Sequence, residues 1–189
     1  NIGIDINEVL KAPELKLKGK SLVFTGVMDY EPNEDAMVYF IQEVFDKVAE
    51  KCPEVTLYIV GKNPTDKLKK LVINRKNIIV TGKVDSVFSY IKSSTIYISP
   101  LRIGSGKKNK IIEAISCGTP LIASTVSMEG FEDIEDKNLI LRADSSNEWV
   151  ENICKLLSDE EKRIDIKKRM FNLLDESYSW KNIAKKLVE

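Results

Sequence analysis

Short runs of Val, Ile and Leu recur along this chain, each followed by a longer stretch whose apolar residues fall at helical spacing. That alternation narrows the fold more than any other feature, because it is the pattern of βαβ units wound around a mainly parallel sheet. Strands are expected at 22–26, 55–61, 78–82, 95–99 and 120–124, with a weaker one at 139–141. Their unbroken apolarity suits strands covered on both faces. With 189 residues and 43% apolar content, the chain has material for one substantial core. The expected fold is α/β: a doubly wound, mainly parallel sheet of about six strands, with helices on both faces and a C-terminal helical tail after Ser145.

Helices are expected in the intervals. Asn33 can cap one, with Glu34 and Asp35 in its first turn and an apolar stripe through Ala36, Met37, Phe40, Ile41, Val44, Phe45 and Val48. It stops before Pro53. Others are expected at 66–72, 85–92 and 107–117, the last ended by Gly118 and Pro120. Residues 1–20, of mixed charge and with Pro13, are the most linker-like part. The chain opens at Asn1, so it reads as a piece of something longer.

Charge and chemistry exclude several function classes. Twenty-nine basic residues balance 29 acidic ones, so no net field draws the chain to nucleic acid. Histidine is absent, which removes the commonest general base and metal ligand. Cys52, Cys117 and Cys154 are odd in number and far apart, a pattern of reduced thiols in a cytoplasmic protein. No run approaches the ~20 apolar residues of a membrane span. The acidic run 132–136 lacks a strand-end context for a metal and reads as a solvated loop. Trp149 and Trp180 read as packing residues.

The chemistry concentrates in one loop. Parallel sheets bind ligands at the carboxyl ends of their strands, where helix N-termini favour anions. Ser99 to Lys108 occupies such a place. Gly104 and Gly106 permit close backbone approach, and Arg102, Lys107, Lys108 and Lys110 bring positive charge, which together make a diphosphate site. At 100° per residue Glu113 shares a helix face with Asn109, Lys110 and Cys117, away from Ile111, Ile112 and Ile115. There it can accept two ribose hydroxyls, and the arrangement calls for no metal and no cofactor. The residues also fit a plainer reading, in which the glycines form an ordinary turn and Glu113 pairs with Lys107 or Lys110.

The run from Pro100 to Pro120, with Pro-Leu-Arg, Gly-x-Gly, Lys110, Glu113-Ala114 and Cys117-Gly118-Thr119-Pro120, resembles the signature region of family 4 (group 1) glycosyltransferases. Phe24 to Tyr30, Leu57 to Gly61 and Val80 to Gly82 extend the resemblance. It implies a Rossmann-like domain of the GT-B architecture: the donor-binding C-terminal half, 21–189, of a retaining two-domain enzyme. Residues 1–20 would be the remnant of an interdomain segment. The partners implied are a nucleotide sugar and the protein's own N-terminal acceptor domain, with the full-length protein peripheral at a membrane. The catalytic groups would lie partly in that missing half, leaving this piece inactive alone.

The resemblance places Glu113 at the second glutamate of the family's Glu-x7-Glu motif. Gly104 and Ser105 stand where the first belongs, and Val27 and Pro32 stand near the positions where basic residues usually grip the diphosphate. Arg102, Lys108 and Lys110 are the expected substitutes. Gly26 would admit the donor phosphates, the loop Thr81, Gly82, Lys83 and Val84 would cradle the base, and Glu129 would approach the sugar. Two other readings share these residues: a nucleotide-sugar epimerase relative, and a non-catalytic module that kept the fold. NAD binding is disfavoured, because no Gly-x-Gly-x-x-Gly follows the first strand.

Overall fold

The computed structural model describes Ile4, residues 6–131, Ile134 and residues 139–173. Six strands form one sheet: β1 (Lys20–Thr25), β2 (Val55–Val60), β3 (Ile78–Gly82), β4 (Ile96–Ser99), β5 (Leu121–Ala123) and β6 (Ile140–Arg142). Their order is β3-β2-β1-β4-β5-β6 and every pairing is parallel. This is the doubly wound Rossmann-like order, and all six expected strands are present. The order reverses between β1 and β4, so the loops leaving those two strands diverge and open a crevice at their carboxyl ends.

The helices are α1 (Ile6–Lys11), α2 (Glu31–Tyr39), α3 (Asp46–Lys51), α4 (Asp66–Val72), α5 (Val87–Ser93), α6 (Asn109–Ser116), α7 (Ser146–Ser158) and α8 (Glu160–Leu173), with a π-helical turn at Phe40–Phe45 between α2 and α3. The stripe expected on the first long helix is buried throughout, from Ala36 to Val48. Phe40 meets the edge of Trp149 at 5.8 Å between ring centroids, which locks α7 against that helix. Ser145 caps α7 through a reciprocal pair with Glu148, so the tail begins where a capping box dictates. Trp149 is a packing residue, as expected. Trp180, the rest of the tail and most of the acidic run 132–136 lie outside the described residues.

Three expectations are corrected. Asn33 does not cap α2: the helix starts at Glu31 behind Tyr30, because Pro32 fits the first turn, where its missing N–H goes unneeded. The linker-like stretch contains α1, and Val9 and Ala12 are buried. The helices expected from residues 85 and 107 begin two residues later, at Val87 and Asn109. All three cysteines are free thiols. No helix among the described residues is long and apolar enough to cross a membrane, and no cluster of His, Cys, Asp and Glu among them could hold a metal.

Candidate functional site

The floor of the crevice is main chain. Backbone hydrogen bonding continues beyond the strands: Gly26 N–H donates to Val60 O, Gly61 N–H to Gly82 O, and Met28 N–H to Lys62 O. These bonds draw the loops after β1, β2 and β3 into one surface. Gly61 has φ +147, and a Cβ there would stand 1.7 Å from Gly26 O. A Cβ on Gly26 would stand 2.6 Å from Asn33 Nδ2. At Gly61 a side chain would meet fixed backbone; at Gly26 it would have to displace the Asn33 amide.

Over this floor opens a cavity of about 630 Å³, within the range of small-molecule sites. Its wall is formed by the loops leaving β1 to β4 and by the start of α6. Among the described residues the wall carries five lysines, Lys62, Lys83, Lys107, Lys108 and Lys110, against one carboxylate, Glu113. In a chain with no net charge this wall is a local excess of positive charge, which raises the local potential for an anion.

Two of these groups sit deep. The Lys110 ammonium donates to Asn33 Oδ1 at 2.7 Å and lies 4.1 Å from the centroid of the Phe24 ring. Burial pulls it from the ordinary lysine value of 10.5 to about 7; the Lys108 charge pushes the same way and Glu113 opposes. Burial also raises the Glu113 carboxyl, with Lys110 as the counterweight. Asn33 completes the group by donating from Nδ2 to Val27 O at 2.9 Å. Below, Tyr97 Oη and Thr25 Oγ1 share a buried hydrogen bond of 2.6 Å, and desolvation keeps the phenol protonated.

The α6 face follows from its periodicity. Asn109, Lys110 and Glu113 look into the cavity, while Ile111, Ile112 and Ile115 are buried in the core. Of the residues anticipated from sequence, the structure brings Gly26, Lys83, Val84, Gly104, Ser105, Lys108, Lys110 and Glu113 together around the cavity, along with Val27 and Pro32.

Others stand apart from the wall. Arg102 forms a bidentate pair with Asp35 and stacks over the Tyr39 ring at 4.7 Å, which turns it onto α2. Thr81 bonds its own turn at Gly82 O, and Cys117 is buried at the C-cap of α6. Gly106, with φ +74, donates its N–H to Glu129 Oε2 at 2.9 Å. Sequence reasoning missed Lys62 and the site role of Asn33. Lys62 follows a strand-end glycine just as Val27 follows Gly26, and that parallel was the available signal.

Comparison with known proteins gives the kinship. The family described as glycosyl transferases group 1 matches residues 19–159. An uncharacterized glycosyltransferase of Methanocaldococcus jannaschii is 32% identical over 140 residues, covering 70% of this chain and 35% of that protein. The C-terminal domain of a glycosyl transferase group 1 family protein from Francisella tularensis superposes with a TM-score of 0.68 at 17% identity, covering 94% of this chain and 100% of that one. The pneumococcal O-GlcNAc transferase solved with UDP and GlcNAc gives a TM-score of 0.72 at 20% identity, covering 90% of this chain and 35% of that one. The chain spans about a third of the length of the curated relatives it matches.

Proposed function

Since this chain belongs to the group 1 glycosyltransferases, we propose that its cavity binds the nucleoside diphosphate part of a sugar donor and that the whole protein transfers the sugar to an acceptor, with retention of configuration. One observation carries this reading: five lysines and a single carboxylate surround a main-chain floor at the reversal point of the sheet. Lys108 and Lys110 hold the diphosphate, helped by Lys62, Lys107 and the free amides at the start of α6. Glu113 accepts the ribose hydroxyls. The loop at Lys83 and Val84 takes the base, Gly104 and Ser105 face the sugar, and Gly26 lets the phosphates approach the backbone. Charge that develops on the departing diphosphate is stabilised by groups already in place, so the gain comes from preorganisation and needs no base in this chain. The acceptor is held by a second domain of the whole protein. Support from the fold is that the pneumococcal O-GlcNAc transferase, of like architecture, was solved with UDP and GlcNAc.

Calorimetric titration with UDP, GDP and their sugar conjugates tests the reading. Saturable binding that Glu113→Ala weakens at least about tenfold, the loss of two hydrogen bonds to a carboxylate, is the expected result. Absence of nucleotide binding at millimolar concentration sinks it. A second reading, a non-catalytic module, rests on Gly104 and Ser105 standing where the family resemblance puts a motif glutamate; binding without turnover in the full-length protein would select it.

A further inference from the structure

The glycine loop after β4 is tied to the loop after β5 along much of its length, besides its Arg102 pair with Asp35 and its own contact between Lys108 and Gly106. Its first half is anchored from below: Ser124 Oγ donates to Leu101 O at 2.5 Å, and Ser127 Oγ bonds Ser99 O at 2.6 Å, so the loops after β4 and β5 share one buried serine cluster. Its second half is held from above by three consecutive residues of the β5 loop. Glu129 Oε2 accepts the Gly106 N–H at 2.9 Å and lies 3.8 Å from Lys108 Nζ, which itself donates to Gly106 O. The stem of Lys107 lies beneath Gly130, where a Cβ would approach Lys107 Cγ to 2.7 Å. The Lys107 ammonium stands 5.1 Å over the ring of Phe131, which is fully buried. Residues 129, 130 and 131 thus fasten residues 106, 107 and 108.

Glycines at positions 104 and 106, both at positive φ, give this loop many conformations to lose on ordering. A carboxylate on the Gly106 amide removes that freedom before any ligand arrives, and it does so from a segment more than twenty residues away. We propose that Glu129 is a positioning residue: it closes a buckle between the β5 loop and the glycine loop, and so presents Lys107 and Lys108 to the cavity in a binding-ready arrangement. The proposal rests on the donor-binding reading above and goes past it, because Glu129 acts on the loop, not on the sugar. Gln at this position keeps the acceptor oxygen for Gly106, so the bond and the buckle survive loss of the charge.

The test compares wild type, Glu129→Ala and Glu129→Gln by UDP and UDP-sugar titration and by hydrogen exchange at the Gly106 amide. Expected are a loss of about tenfold in affinity for UDP in the Ala variant, recovery to within about threefold in the Gln variant, and exchange at Gly106 at least about tenfold faster in the Ala variant only, with the thermal midpoint unchanged. Unchanged exchange and affinity in the Ala variant overturn the proposal. So does tighter UDP binding, which would make Glu129 a competitor for the site, or a loss confined to the sugar conjugate, which would make it a sugar contact. If wild type binds no nucleotide, the donor reading fails, and Gly106 exchange alone decides whether the buckle exists.

Discussion

Lys110 and Asn33, 77 residues apart in sequence, meet at 2.7 Å and join α6 to α2 across the cavity floor. Asn33 uses both ends of its amide, accepting from the lysine and donating to Val27 O, so it links the cavity-facing helix α6 to the loop after β1. A residue with the sequence signature of a helix cap is in fact the fixed point for the deepest positive charge in the site.

Asn33→Ala should therefore harm both stability and binding. Two part-buried hydrogen bonds go, one donated by an ammonium, and about 1–3 kcal/mol of stability should go with them. Urea denaturation checks the first effect. Calorimetry with UDP checks the second, expected at about tenfold weaker, since Lys110 loses its alignment.

The depressed Lys110 makes binding depend on pH. With its value near 7 in the free protein, the ammonium is half neutral at neutrality, and an incoming diphosphate raises it again by charge. Binding should take up a proton, so UDP affinity should fall from pH 7 to pH 9, and Lys110→Arg should flatten the fall. Titrations in buffers of differing ionisation enthalpy measure the proton directly.

The same group has a stability signature. Between about 7 and 10.5 the unfolded lysine holds a proton that the folded one has released, so the unfolded state binds more protons and folding stability rises with pH across that window. Lys110→Met should remove this rise, on the order of 3 kcal/mol between pH 7 and pH 9.5. Denaturation midpoints at pH 7 and pH 9.5 for both proteins give the comparison.

Arg102 should matter little to the donor. It is half-exposed and already occupied by Asp35 and Tyr39. Arg102→Ala is expected to change UDP affinity less than about twofold and stability by less than about 1 kcal/mol, as exposed ion pairs do. A tenfold loss of affinity would show that it swings into the cavity when ligand is bound.

Gly61→Ala should fail to fold normally. Its Cβ would overlap the backbone of Gly26, and its φ is one that L side chains avoid, so there is no flexible group to give way. More than about 3 kcal/mol of destabilisation is expected by denaturant titration.

What can be read from sequence follows from how far each signal reaches. Strands buried on both faces announce themselves as unbroken apolar runs, and the α6 face emerges from 100° periodicity, which is why Lys110 and Glu113 fall together both on the helical wheel and on the cavity wall. Helix starts are less legible, because Pro32 and Asn33 carry competing cues and only packing decides between them. Arg102 misleads for a different reason: its partner Asp35 lies 67 residues earlier, and no local pattern reveals a long-range ion pair. Lys62 escapes notice because a single lysine after a glycine is ordinary until β2 sits beside β1.

The main-chain floor at Gly26 and Gly61 divides the domain into a part that cannot vary and a part that can. At Gly61 a side chain would meet the backbone of Gly26, so the depth of the cavity floor is set by main chain. The rim, by contrast, is built of loop side chains such as Lys62, Lys83 and Val84. On the donor-binding reading proposed above, a lineage of such domains could exchange one base or sugar for another by rewriting its rim while the depth of the pocket stays constant.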